Sequence, residues 1–150
     1  MEKPETRKQR SDKLIFWGVL LFFLGLLSGL FIPMMANPRM GLSGHLEGIM
    51  NGIFLIVSGL IWNRLELSSK WLKISFNLAL FGSFANFAAV IIAAITGSGR
   101  MMPIAGGKEG TPITEGIISF LLISLSLAML LYCIIILIGL YRSLKSGAGN

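Results

Sequence analysis

Four long apolar runs with no Lys or Arg in their middles, at roughly residues 14–35, 42–62, 71–96 and 113–141, take up most of this 150-residue chain. Each is about 20 residues or longer, the length at which a helix rising 1.5 Å per residue crosses ~30 Å of hydrocarbon. With 54% hydrophobic and only 13% charged residues, the chain holds more apolar surface than one small core could bury. The expected fold is all-α: an integral membrane protein built as a four-transmembrane-helix bundle. It is expected to form a single domain, with polar, mobile tails at residues 1–12 and 143–150. Basic residues precede the first run, as in a signal peptide. That run is too long, however, and Pro33, Met34, Met35 and Ala36 make a poor cleavage site, so it is expected to be a retained helix.

Positive charge sets an orientation. Lys3, Arg7, Lys8, Arg10 and Lys13 precede the first run, Arg64, Lys70 and Lys73 lie between the second and third, and Arg142 and Lys145 follow the fourth. Only Arg39, Arg100 and Lys108 fall on the other side, which predicts cytoplasmic termini in the cell membrane. The net charge of +6 then reads as a topology signal and an attraction to anionic lipid, with no nucleic-acid partner expected. Trp17, Trp62 and Trp71 lie near the expected span ends, where indoles favour the interface. The single cysteine, Cys133, excludes an intrachain disulfide and a CxxC zinc or redox site. No internal repeat is evident, which weighs against transporters built from two related halves. The longest connection, GSGRMMPIAGGKEGTP at residues 97–112, either folds back over a site or links two helices, and the linker is the default expectation.

The interiors of the spans carry the chemical signals. Gly41, Gly44, Gly48, Gly52 and Gly59 form a strip without side chains along the second span. Either a neighbouring helix, with Gly18, Gly25 and Gly29 of the first span facing it, or a flat ligand would pack there. His45, the only histidine, shares the second span with Glu47 and Asn51, which stand at i and i+4 on one face. Ionisable groups at such depth are functional candidates by default. The competing readings place His45 near the solvated interface and pair Glu47 with Arg39 or Arg100. Asn77, Ser83 and Asn86 on the third span, and Glu115, Ser119, Ser124, Ser126 and Tyr132 on the fourth, fall in the same volume. Serines in spans usually bond back to their own helix. An amide needs a partner in hydrocarbon: Asn77 is expected to act between helices, while Asn86 serves equally as helix glue or substrate ligand.

The segments ANPRMGLSGHLEGIMNGIFL (36–55), FGSFANFAA (81–89), MMPIAGG (101–107) and SFLLISLSLAML (119–130) resemble the hydroxylaminobenzene mutase family over all four spans. That resemblance implies an intramolecular transfer in which the hydroxyl of an N-aryl hydroxylamine moves to the ortho ring carbon, giving a 2-aminophenol. A more distant resemblance to styrene oxide isomerase rests on His45 with Asn51, the pair Ala85 and Asn86, SFLL at 119–122 and GLYRSLK at 139–145. It implies a trimer in which haem b acts as a Lewis acid, with His45 as axial ligand and Asn51 as a substrate-positioning amide. The isomerase's carboxylate and tyrosine on the third span align with Gly82 and Val90 here, so the catalytic constellation must differ.

Epoxide opening and N–O cleavage both separate an oxygen from a cation delocalised over an arene, so one cofactor suits both. A haem with a single histidine keeps an open sixth position. One of eight methionines could serve as a second ligand, which keeps electron transfer open. The expected catalytic residues are Glu47 for protons and Asn51 and Asn86 for orientation, with Phe84 and Phe87 stacking on the substrate ring. The expected cofactor site is His45 on the iron, with Gly48 and Gly52 against the porphyrin edge. The alternatives are a haem-free mutase working by acid catalysis through His45 and Glu47, and a non-enzymatic carrier or assembly subunit.

Overall fold

In the computed structural model of the protein, which describes residues 3–147, the chain forms helices α1 (Pro4–Leu30), α2 (Pro38–Ile61), α3 (Ser69–Thr96) and α4 (Pro112–Gly147). All four are long and apolar enough to cross a membrane, and among the described residues there is no β-strand.

The helix ends depart from the expected spans for local reasons. Helix α1 starts at Pro4, about ten residues early, because proline's fixed φ suits the first turn and Glu5 favours the positive end of the helix. From Pro4 on, the stretch expected to be a mobile tail is therefore helical. It is also tied down: the Arg7 guanidinium donates to the carbonyls of Trp62 (3.1 Å) and Leu65, and the Ser11 hydroxyl donates to the Gly59 carbonyl at 2.8 Å. Past Leu30 the chain tightens into a short 3₁₀ turn, Ile32–Met34, around Pro33. Helix α2 begins at Pro38 because Asn37 caps it, its side-chain oxygen accepting the Arg39 and Met40 amides at 3.1 and 3.2 Å. Helix α3 closes on Gly97, whose φ of 73° lies in the left-handed region that favours glycine. Helix α4 runs on to Gly147, so Ser143 to Ser146 of the other expected tail are helical too. Residues 1–2 and 148–150 of those tails lie outside the described residues.

Helices α1 and α2 pack most closely. A Cβ on Gly48 would sit 2.4 Å from the Gly25 Cα, and one on Gly52 would sit 2.6 Å from the Phe22 nitrogen and 2.8 Å from the Gly18 oxygen. Glycine strips on both helices bring backbone onto backbone, the contact that drives helix association where water exclusion offers nothing. Helix α3 packs on α2, with Ile91 and Val90 at Gly44 and Phe87 at Gly48. Helix α4 packs on α3, where Met129 fills the space at Gly82. It reaches α2 through the Tyr132 hydroxyl, which donates to Ser58 Oγ at 2.7 Å. One buried cluster includes Leu14, Leu21, Leu55, Trp62, Leu72 and Ile136, and a second at the other end holds Met40, Ala93, Ala94 and Ile118. The outward faces carry exposed apolar side chains such as Phe16, Phe23, Phe120, Leu127 and Leu137.

The connection at 97–112 is folded back on itself. The Gly99 amide donates to the Lys108 carbonyl at 3.0 Å, and the Lys108 amide to the Gly97 carbonyl at 3.1 Å. Gly99 and Gly107 approach so closely that a Cβ on either would fall within 2.6 Å of the other's Cα. Side chains pin the loop to the helices: Asn37 Nδ2 donates to the Ala105 carbonyl at 3.2 Å, buried Glu115 accepts the Gly110 amide at 2.8 Å, and the Thr114 and Ser98 hydroxyls share a hydrogen bond at 3.0 Å.

Candidate functional site

Glu47 and Asn51 share a face of α2 because four residues make just over one helical turn. Asn51 Nδ2 donates to Glu47 Oε2 at 3.0 Å and to the Glu47 carbonyl at 2.9 Å. Asn86 arrives from α3 and donates to the same Oε2 at 2.5 Å. Asn51 is buried and the other two are half-buried. The carboxylate is thus held by two amides through one oxygen. Its other oxygen, Oε1, makes no hydrogen bond among the described residues and is not sealed off. A carboxyl group fixed on one side and open on the other can take or give a proton at a defined point. Neither arginine considered as a partner reaches it: Arg100 pairs with Glu109 at 3.7 Å, and Arg39 makes no ion pair with Glu47.

His45 sits on a different flank. Two helical residues turn about 200° around the axis, so His45 faces α1 while Glu47 faces α3. Its Nδ1 lies 2.8 Å from the Gly25 carbonyl oxygen. A carbonyl only accepts, so the proton is assigned to Nδ1 and the lone pair to Nε2, which has no partner among the described residues. The structure therefore joins Glu47, Asn51 and Asn86 and leaves His45 apart from them within one chain.

Gly48 and Gly52 are taken up by α1. Of the two readings of the strip, a helix rather than a flat ligand occupies it here. Phe87 packs at Gly48 and lines a cavity of about 370 Å³ between α1 and α3, with Leu27, Ser28, Phe31, Met35 and Ile91. Phe84 instead meets Trp17 edge to face, with ring centres 5.9 Å apart. Asn77 is exposed and makes no hydrogen bond among the described residues, so it joins no helices within the chain. Ser124 and Ser126 bond back to the carbonyls of Phe120 and Leu122, as serines in spans are expected to do. Two partnerships escaped the sequence: Ser58 with Tyr132, and Ser28 with the carbonyl that holds His45. Only a second polar residue at matching depth signals the first, and the i−3 spacing from Gly25 hints at the second.

Among the described residues no group of three or more His, Cys, Asp or Glu could hold a bare metal ion. An ion at His45 would have to bring most of its ligands with it, as a porphyrin does.

Four helices long and apolar enough to cross a membrane, carrying a hydrogen-bonded carboxyl group and a single oriented imidazole, define a small all-α protein of the four-helix class. The model of the styrene oxide isomerase family matches residues 10–141, and the chain belongs to that family. Among curated proteins, hydroxylaminobenzene mutase HabB of Ectopseudomonas oleovorans is 49% identical over 142 residues, covering 93% of this chain and 87% of that protein. Hydroxylaminobenzene mutase HabA of the same organism is 46% identical over 127 residues, covering 83% and 94%. The protein is accordingly an isomerase, and the carrier and assembly-subunit readings fall away. No solved structure matches it.

Proposed function

We propose that the protein is a membrane-embedded mutase that moves the hydroxyl of hydroxylaminobenzene, or a related N-aryl hydroxylamine, from nitrogen to the ortho ring carbon. The observation that carries this reading is the Glu47 carboxyl group, fixed by Asn51 and Asn86 at one oxygen and open at the other. The N–O bond breaks with its electron pair leaving on oxygen, and Glu47 in its acid form supplies the proton. That oxygen, now water, bonds to the ortho carbon of the N-aryl cation and gives one proton back to the Glu47 carboxylate, and the ring proton at that carbon then passes through Glu47 to the substrate nitrogen. Atoms and charge balance, so the product, 2-aminophenol, is an isomer of the substrate. The apolar surroundings keep bulk water from the cation. Insertion in the cell membrane with both termini cytoplasmic is supported by the four apolar helices and by the distribution of Lys and Arg.

A haem b fits one feature of the chain. With Nδ1 engaged by Gly25, His45 has only Nε2 to offer and would hold the iron through it. Gly48 and Gly52, filled by α1, give a porphyrin no support. When bound, a ferric haem would supply Lewis acidity at its open position. Because His45 and Glu47 lie on opposite flanks of α2, a site using both draws one of them from a second copy. This favours a homo-oligomer, the trimer being the form implied by the isomerase resemblance.

The test pairs an activity assay with a spectrum. Membranes containing the protein should convert hydroxylaminobenzene to 2-aminophenol, and empty membranes should not. The purified protein, expressed with adequate haem supply, should show a Soret band that is lost in His45→Ala. An active protein with no such band would reassign His45 and Glu47 to direct acid catalysis.

A further inference from the structure

Gly25, Ser28 and Gly29 lie near the end of α1, and the His45 ring rests on the two glycines. A Cβ on Gly29 would come within 2.7 Å of Nδ1 and 3.0 Å of Cε1, so the imidazole lies against a bare Cα. The Gly25 carbonyl that engages Nδ1 at 2.8 Å also accepts the Ser28 hydroxyl at 2.8 Å. Ser58 and Ser126 reach back to the carbonyls four residues earlier, Phe54 and Leu122, and Ser124 shares the carbonyls of Phe120 and Leu121, four and three back. Ser28 reaches three back, onto the one oxygen that holds the histidine.

We propose that Gly25, Ser28 and Gly29 are positioning residues for His45. The Gly25 carbonyl fixes the Nδ1–H tautomer and leaves the Nε2 lone pair free, Gly29 makes room for the ring, and Ser28 sets the strength of the contact by sharing the carbonyl. An oxygen already accepting a hydroxyl is a weaker acceptor for a second donor. A stronger Nδ1–H···O bond makes the opposite nitrogen a better ligand, so Ser28 holds the ligand strength of Nε2 below its maximum. The purpose of this cradle rests on the proposed iron ligation, but the tautomer does not.

His45 is the only histidine, so the full-length protein labelled with ¹⁵N-histidine gives a single imidazole to observe. In haem-free detergent samples at alkaline pH, the wild type should carry its proton on Nδ1. Ser28→Ala should keep that tautomer and shift the Nδ1 resonance toward a stronger hydrogen bond, Ser28→Thr should restore the wild-type position, and Gly29→Ala should give mixed tautomers. Ferric haem added back should bind Ser28→Ala roughly three- to tenfold more tightly, and Gly29→Ala roughly 10–100-fold more weakly. A wild-type Nε2–H tautomer, or an unmoved Nδ1 resonance in Ser28→Ala, would overturn the proposal. An intact Nδ1–H tautomer in a protein that binds no haem would count against iron ligation alone.

Discussion

Glu47 Oε2 takes hydrogen bonds from two amides, and its partner oxygen takes none among the described residues. Two predictions follow from that asymmetry. Glu47→Gln keeps the size of the side chain but removes its acid form, so turnover should fall by about 10²–10⁴-fold with little loss of folded protein. Unchanged turnover in that variant would remove Glu47 from the chemistry. Asn86→Ala should lower stability by about 1–2 kcal/mol, since a half-buried carboxylate oxygen loses a donor, and it should lower turnover as well. Thermal unfolding in detergent, read beside the assay, separates the two effects. Glu47 and Asn51 were legible in the sequence because i and i+4 must meet on a helix. Asn86 was seen as a candidate, but its partner was not: the contact spans 39 positions and depends on how α3 sits on α2, which no periodicity encodes. The His45 tautomer was equally hidden, being set by a backbone carbonyl on another helix.

At the scale of elements, glycine decides which helices meet. The strip on α2 was plain in the sequence, and so was its counterpart on α1. Whether a helix or a ligand filled it was not, because both demand the same absence of side chains. With the Gly25 Cα against Gly48, Gly48→Val forces the backbones apart and should cost about 1–3 kcal/mol or more. A melting temperature equal to that of the wild type would show that the α1–α2 contact is looser than described. Asn37 both caps α2 and ties the 97–112 loop to it, so Asn37→Ala should cost about 1 kcal/mol from the cap alone. Faster proteolysis within the loop would report the lost tie to Ala105. The helical start at Pro4 was missed because its charged residues read as a tail. Their helix is held by Arg7 and Ser11 bonding to the end of α2 and the turn after it, a tertiary effect.

For the whole molecule, the hydrophobic runs made four helices legible, since length and polarity are local properties. The packing order was not legible, whereas the separation of His45 from Glu47 follows from the turn of α2 between them and could be read from their i, i+2 spacing. That separation carries the oligomer prediction: mixing inactive His45→Ala and Glu47→Gln chains should restore part of the activity, whereas a site confined to one chain would stay dead. The central claim is that the enzyme moves a hydroxyl within one substrate molecule. It is tested most directly by supplying hydroxylaminobenzene in H₂¹⁸O and analysing the product by mass spectrometry. The account predicts 2-aminophenol formed faster than in empty membranes and free of ¹⁸O. Solvent label in the product, or no product above the control, would contradict it.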